Sequence, residues 1–333
     1  MSTPPQKRNR AGSTTLKIVV SAALLGAMIW WVGIDQLLDA MRDLDPWLAA
    51  LSFLLQFFSI ALGGVNTVVL VHAVAPELPK RSVFVAYLRS WVIGAIAPGR
   101  LGDLSLAHFL TPLDVTYGLG LAVVVVDKFI TFLITVAIGA IGILLYVGAQ
   151  EAAGSAALAL VLTGVAVFLI ASKRIRGFVR ERILGKHSSK FTGFSGYAQG
   201  MLRDHPELLA LNVGITIFRV VVMAVGVWVM LLAFGQRVDI IAVVFVQTIA
   251  QLAAWVPVSM AGIGVREATA TVLYTQLLGL PAAPVLNANL LTLVLGYLKA
   301  AVLWVVLGFG GGRAGGVGVD EIPAEDDLPS EQR

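Results

Sequence analysis

An all-α polytopic membrane protein is the fold class this sequence predicts, and three observations carry it. Of its 333 residues, 58% are hydrophobic and 13% charged, where a soluble domain carries about a quarter charged residues. Six apolar stretches approach or exceed the ~18 to 20 residues that cross ~30 Å of hydrocarbon. They run from Leu16 to Ile34, Trp47 to Val71, Val115 to Val147, Ser155 to Ser172, Leu208 to Phe234 and Pro281 to Phe309. Two further apolar segments are interrupted by the same residue types, a proline, glycines, an arginine and a carboxylate, at Ala97 to Asp103 and at Pro257 to Glu267.

Taken in order, the head (residues 1–15) is polar and basic, with Lys7, Arg8 and Arg10. The stretch after it has the basic approach of a signal peptide, but no small-x-small cleavage site precedes Asp35, so it is expected to remain as a span. The loop Asp35 to Pro46 sets Asp35, Asp39, Asp43 and Asp45 against Arg42. Within it, Asp45-Pro46-Trp47 reads as an N-cap, a proline at N1 and an interfacial aromatic, which opens the second span. The stretch His72 to Arg89 carries Lys80, Arg81 and Arg89, and the largest loop, Lys173 to Pro206, carries eight Lys and Arg residues. By the positive-inside rule these basic segments are cytoplasmic and the acidic loop is external.

That assignment makes Val83 to Pro112 enter from the cytoplasmic side and return, and Asp239 to Leu278 enter from outside and return. The expected architecture is six full transmembrane helices plus two oppositely oriented re-entrant helical hairpins, an inverted repeat of the kind secondary transporters use. A single membrane domain spans 16–310, with halves at about 16–150 and 151–310, and both termini are cytoplasmic. The tail 311–333 is Gly-rich, then acidic, and is expected to be disordered.

Several function classes drop out at once. Cysteine is absent, so there is no disulfide framework, thiolate nucleophile or Cys-based metal site. No metal site or cofactor is predicted. The formal charge of +4 sits in membrane-flanking loops and argues for orientation, not for nucleic acid. No G-x-x-x-x-G-K-[ST] run is present, so ATP is not expected to be hydrolysed by this chain.

The broken segments hold the chemistry. Pro98 ends one half-helix, and Gly99 and Gly102 permit a reversal. Asp103 is placed to cap the returning helix, whose N–H groups and positive dipole end suit a phosphate or carboxylate. Arg100 either adds a charge-assisted fork to that ligand or pairs with Asp103 to pin the turn. Pro257, Gly262 and Gly264 precede Arg266 and Glu267 in the same manner. Neighbours in a helix do not face each other, so Arg266 and Glu267 are expected to contact different partners. Cross-pairs of Arg100 with Glu267 and of Arg266 with Asp103 would close the two tips. Asp127 and Lys128 lie about 18 Å along their span, and Arg219 and Lys299 are similarly deep. These four are candidates for coupling or gating, against a structural reading as buried salt bridges or snorkelling side chains. Gln56, Asn66, Gln247, Gln251 and Asn289 read first as helix glue. His72, His187 and His205 read as loop residues, and His108 faces the first motif only as a weak signal.

The motifs Pro98-Gly99-Arg100-Leu101-Gly102-Asp103 and Gly262-Ile263-Gly264-Val265-Arg266-Glu267 resemble the paired signatures of the flippase-like membrane region of lysylphosphatidylglycerol synthases, the multiple peptide resistance factor family, in its stand-alone form. Asp127-Lys128 sits where that family tends to have an acidic residue followed by arginine. The resemblance runs from about Leu16 to Phe309. It implies a domain that moves lipids between leaflets of a prokaryotic cytoplasmic membrane, with Arg100, Asp103, Arg266 and Glu267 at the family's charged positions. Two departures, Gly94-Ala95 where asparagines are common and Leu106 where a second basic residue is, imply altered head-group recognition. Nothing after Phe309 matches an aminoacyl-transfer domain, so lysyl transfer is not implied.

The expected function is therefore translocation of a phosphate-bearing lipid, a phospholipid or polyprenyl-phosphate type, run downhill or on protons through Asp103, Asp127 or Glu267. Two other classes stand beside it. One is a membrane-embedded lipid-modifying or glycosyl transferase using Asp43-x-Asp45. The other is a non-catalytic partner of a separate lipid-modifying enzyme, contacted through the basic loop, whose plainer reading is attraction to anionic lipid.

Overall fold

The computed structural model describes residues 10–96, 101–113, 115–148, 154, 194–256, 259 and 261–308. Among them all regular structure is helical. Helices α1 (Arg10–Val32) and α2 (Ile34–Arg42) meet at a bend of 78°. There Gly33 takes φ 90°, a left-handed conformation that glycine adopts without a Cβ clash. Then come α3 (Pro46–His72), α4 (Lys80–Ile96), α5 (Leu101–Leu110) with a 3-10 turn Thr111–Leu113, and α6 (Tyr117–Tyr146). After them follow α7 (Phe194–Arg203), α8 (Pro206–Ala233), α9 (Ile240–Ala254), α10 (Val265–Val272) continued by a π-helical turn Leu273–Leu277, and α11 (Ala282–Val306). Helices α3, α6, α8 and α11 are long and apolar enough to cross a membrane, and α1–α2 makes a fifth such element if the bent pair is one span. The expected span Ser155 to Ser172 and the tail 311–333 lie outside the described residues.

Helix starts follow local chemistry. Asp45 Oδ1 accepts from the N–H groups of Trp47 at 2.8 Å and Leu48 at 3.1 Å, with Pro46 at N1. That is the cap the Asp-Pro-Trp run predicts. Asp239 caps α9 through Ile241 N–H at 3.1 Å. Helix α8 ends in a Schellman motif, with Gln236 N–H on Leu231 C=O at 2.9 Å and Gly235 N–H on Leu232 C=O at 2.8 Å.

The acidic loop expected at Asp35 to Pro46 is instead largely helical. Ile34, Leu37, Leu38 and Met41 recur at i, i+3, i+4 and i+7, one face of a helix. Leu37 is buried with Met28, Val32, Ala283 and Leu286, while Asp39 pairs with Arg42 at 2.9 Å on the exposed side. Asn287 Nδ2 donates to Leu37 C=O at 2.7 Å and fastens α2 to α11. Such a helix has the pattern of one lying in an interface, and the exposed Trp30, Trp31 and Trp47 bracket it. His72 also differs from expectation. It closes α3, half-buried, with its ring nitrogen 2.9 Å from Val68 C=O.

The most extensive packing is between α3 and α8, which run antiparallel. Ser52 Oγ donates to Gly226 C=O at 2.7 Å near one end, and Asn66 Nδ2 to Thr216 Oγ1 at 3.0 Å near the other. Small and hydroxylated residues at this interface let two backbones approach where lipid supplies no hydrophobic drive for association. One apolar cluster joins the end of α3 to α4, α5, α6 and α7. A second is built chiefly from α8, α9, α10 and α11. The short helices pack as pairs, α4 on α5 and α9 on α10.

Candidate functional site

At the second break Pro257, Val258 and Met260 lie outside the described residues, whereas Ala261 to Glu267 are described. Helix α9 ends at Ala254, the chain turns through Ala261–Gly264, and α10 starts at Val265. Gly262 and Gly264 have φ of 81° and 83°, values that L side chains rarely adopt. A Cβ on Gly262 would stand 2.7 Å from Ala254 Cβ, and one on Gly264 would stand 3.0 Å from Leu24 Cβ. The turn is therefore wedged between the end of α9 and the middle of α1. Ser259, buried beside it, has no hydrogen-bond partner for its hydroxyl among the described residues.

Glu267 is the third residue of α10 and only 1% exposed. One carboxylate oxygen accepts Gly264 N–H at 2.8 Å, half of a capping box, since a glycine N-cap has no side chain to complete it. The other accepts Arg266 Nε at 3.1 Å. This corrects the expectation that Arg266 and Glu267 seek separate partners. In the first turn of a helix both side chains bend back toward the N-terminus, and there neighbours can meet. Helix α10 packs against α11.

At the first break, Pro98, Gly99 and Arg100 lie outside the described residues. Gly102 and Asp103 are the second and third residues of α5, and the side chain of Asp103 is likewise outside them. Asp103 and Glu267 are thus each the third residue of a short helix. The cross-pairs of Arg100 with Glu267 and of Arg266 with Asp103 lie outside the described residues.

The deep charges occupy a polar seam along α3. Its residues Ser52, Gln56, Ser59, Gly63 and Asn66 are spaced four, three, four, three, a single helical face. Lys299, 3% exposed, donates to Gln56 Oε1 at 2.8 Å and sits 5.7 Å from the centre of the Phe53 ring. Gln56 in turn donates to Ser52 Oγ at 3.0 Å. Arg219 Nη2 donates to Thr131 Oγ1 at 3.3 Å, and Ser59 Oγ to the Arg219 carbonyl at 3.5 Å. Asp127, 7% exposed, accepts from Asn66 Nδ2 at 3.0 Å and has Lys128 Nζ at 3.6 Å. Among the described residues neither Arg219 nor Lys299 has a carboxylate within ion-pair distance, so the buried-salt-bridge reading of these two does not hold there.

Of the residues expected to be helix glue, Gln56 and Asn66 bond within the seam, and two more make polar contacts elsewhere. Gln247 Nε2 reaches Tyr274 Oη at 3.3 Å, and Asn289 Nδ2 reaches Val285 C=O at 3.0 Å and Thr271 Oγ1 at 3.4 Å. Thr131, Thr216 and Asn212 carry no sequence motif; both side-chain polar atoms of Asn212 are buried without a hydrogen-bond partner among the described residues. The four-three spacing of polar residues on α3 is the signal that points to their position.

Comparison with known proteins gives the family. A membrane protein of Methanothermobacter thermautotrophicus (strain Delta H), described as a UPF0104 membrane protein, is 23% identical over 284 residues, covering 78% of this chain and 84% of that one. No solved structure matches the chain. The family described as the lysylphosphatidylglycerol synthase TM region matches residues 15–307, so nearly the whole described fold, both breaks and the seam included, lies within it, and the chain belongs to that family.

Proposed function

We propose that this protein moves a phosphate-bearing lipid between membrane leaflets without hydrolysing ATP. The observation that carries the reading is the Arg266–Glu267 pair at the start of α10, a charged helix N-terminus set among apolar helices after a break. A lipid phosphate can take the place of Glu267 on the Arg266 guanidinium and face the N–H groups of α10. The released carboxylate then holds the Gly264 N–H alone or takes a proton. Six spans and two opposed re-entrant hairpins, α4–α5 and α9–α10, are part of this proposal, with Arg100 and Asp103 as the counterparts of Arg266 and Glu267. Acyl tails stay in lipid, and the head group passes between the tips. Both termini face the cytoplasm, and a lipid-modifying enzyme would supply or consume the lipid. The transferase reading is weakened by Asp45, whose carboxylate is committed to the start of α3.

Reconstitution in liposomes with head-group-labelled lipids, with and without a proton gradient, tests the activity. Leaflet exchange above that of protein-free liposomes, lost in Arg266→Gln, is expected. Exchange equal to the protein-free rate for every phospholipid sinks the proposal. Accessibility tags at Gln150 and Gln236 should both report the outside, and cytoplasmic exposure of Gln150 would overturn the opposed hairpins.

A further inference from the structure

At Gly63 on the polar seam two long side chains close over bare backbone. A Cβ built there would collide with the Tyr87 hydroxyl and stand 3.0 Å from Arg219 Nη1. A phenol from α4 and a guanidinium from α8 therefore converge on one bare patch of α3 backbone, and Thr131 of α6 flanks them through Arg219 Nη2. Four helices meet at this point. Arg219 lies about 20 Å along α8 from Pro206, at 1.5 Å per residue, which is deep in any spanning orientation.

The charge there is uncompensated among the described residues. A guanidinium has five N–H donors, and Arg219 commits one, to a neutral hydroxyl. Asp127, one turn before Thr131 on α6, is held by Asn66 and Lys128 instead. A cation at this depth is costly without an anion or water, and Arg219 is only half-buried, so its remaining donors are reachable. A planar fork beside hydroxyl groups fits a tetrahedral oxyanion. We infer that Arg219, with Thr131 and Tyr87 beside it over Gly63, forms a second site, apart from the α10 tip, that binds the phosphate of a membrane lipid.

Counting bound lipids on the intact detergent-solubilised protein by native mass spectrometry tests this without any transport readout. The probes are phosphatidic acid, a diacylglycerol with the same tails, and inorganic phosphate. Arg219→Gln should lose one bound phosphatidic acid, or weaken it at least about tenfold, the loss expected for a charge-assisted pair. Arg219→Lys should retain part of it and guards against a variant that fails to fold. Arg266→Gln reports separately on the α10 tip, so either site can fail while the other stands. Wild-type binding of phosphatidic acid in Arg219→Gln overturns the inference, as does equal binding of diacylglycerol. Displacement by equimolar inorganic phosphate assigns the site to the free anion and overturns the lipid assignment. Recovery of Arg219→Gln by Asp127→Asn makes Arg219 a counter-ion of Asp127 and also overturns it.

Discussion

The tip of α10 and the seam on α3 handle buried charge in opposite ways. At the tip, Glu267 satisfies a helix start and a neighbouring arginine at once, and the charges cancel within one turn. On the seam, Lys299 and Arg219 rest on an amide and a hydroxyl, and no carboxylate among the described residues neutralises either. The first arrangement is complete as it stands, whereas the second leaves net positive charge between helices among the described residues. A closed pair must be opened before it can bind an anion; an uncompensated cation is already a receptor. Stability experiments and function experiments should therefore separate the two regions.

The largest stability effect is expected at the closed pair. Glu267→Ala strips the cap from Gly264 N–H and leaves Arg266 without its partner, and breaking a buried pair from one side costs about 3 to 5 kcal/mol. Glu267→Gln keeps an oxygen for the Gly264 N–H and should lose roughly half as much. Thermal unfolding of the purified protein measures both. An alanine variant as stable as wild type would break the comparison, because the tip would then hold its charges no more tightly than the seam.

Next in size is Gly264→Ala. Its φ of 83° imposes about 1 to 2 kcal/mol on an L residue, and the added Cβ presses on Leu24 of α1. The same unfolding assay reads it. Gly279 provides the control, since it has φ 67° with open space around its Cβ. If Gly279→Ala loses as much as Gly264→Ala, the wedge against α1 adds nothing.

What the sequence made legible, and what it did not, divides along the same line. Caps such as Asp45-Pro46 depend on neighbours two or three residues away, so composition and spacing suffice to find them. Interior-helix spacing does not encode the pairing of Arg266 with Glu267, because in a first turn side chains fold back past the N-terminus. Helix α2 is masked in the sequence by Asp35 and Asp39 and by the aspartates of the turn after it, although Ile34, Leu37, Leu38 and Met41 carry a helical period. The convergence of Gly63, Tyr87, Thr131 and Arg219 depends on how four helices register against one another. No local pattern encodes that, and only the polar spacing on α3 hints at it.

A smaller effect compares the same hydrogen bond in two settings. Asp45 and Glu267 both accept N–H groups at a helix start, but Asp45 is exposed and Glu267 is buried. Asp45→Ala should cost about 1 kcal/mol and Asp45→Asn only a few tenths, as for ordinary N-caps. Leaflet exchange should be unchanged in the asparagine variant. Loss of activity with stability intact would instead revive Asp43 and Asp45 as a catalytic pair.

A small stability change is also expected at the buried Lys299 and Gln56 of the seam, and that is its value. Lys299 alone cannot be removed cleanly, because Gln56 Oε1 would lose its donor and an orphaned acceptor costs about 1 to 3 kcal/mol. The double variant Lys299→Met with Gln56→Leu replaces both partners by apolar groups of similar size. Such replacements of buried polar pairs are often neutral or stabilising, so unfolding should shift by less than about 1 kcal/mol. If the charge on the seam serves the proposed lipid ligand, leaflet exchange should nonetheless fall. A double variant that transports normally would make Lys299 a packing residue. One that unfolds as readily as Glu267→Ala would show that the seam, like the tip, is held together by its charges.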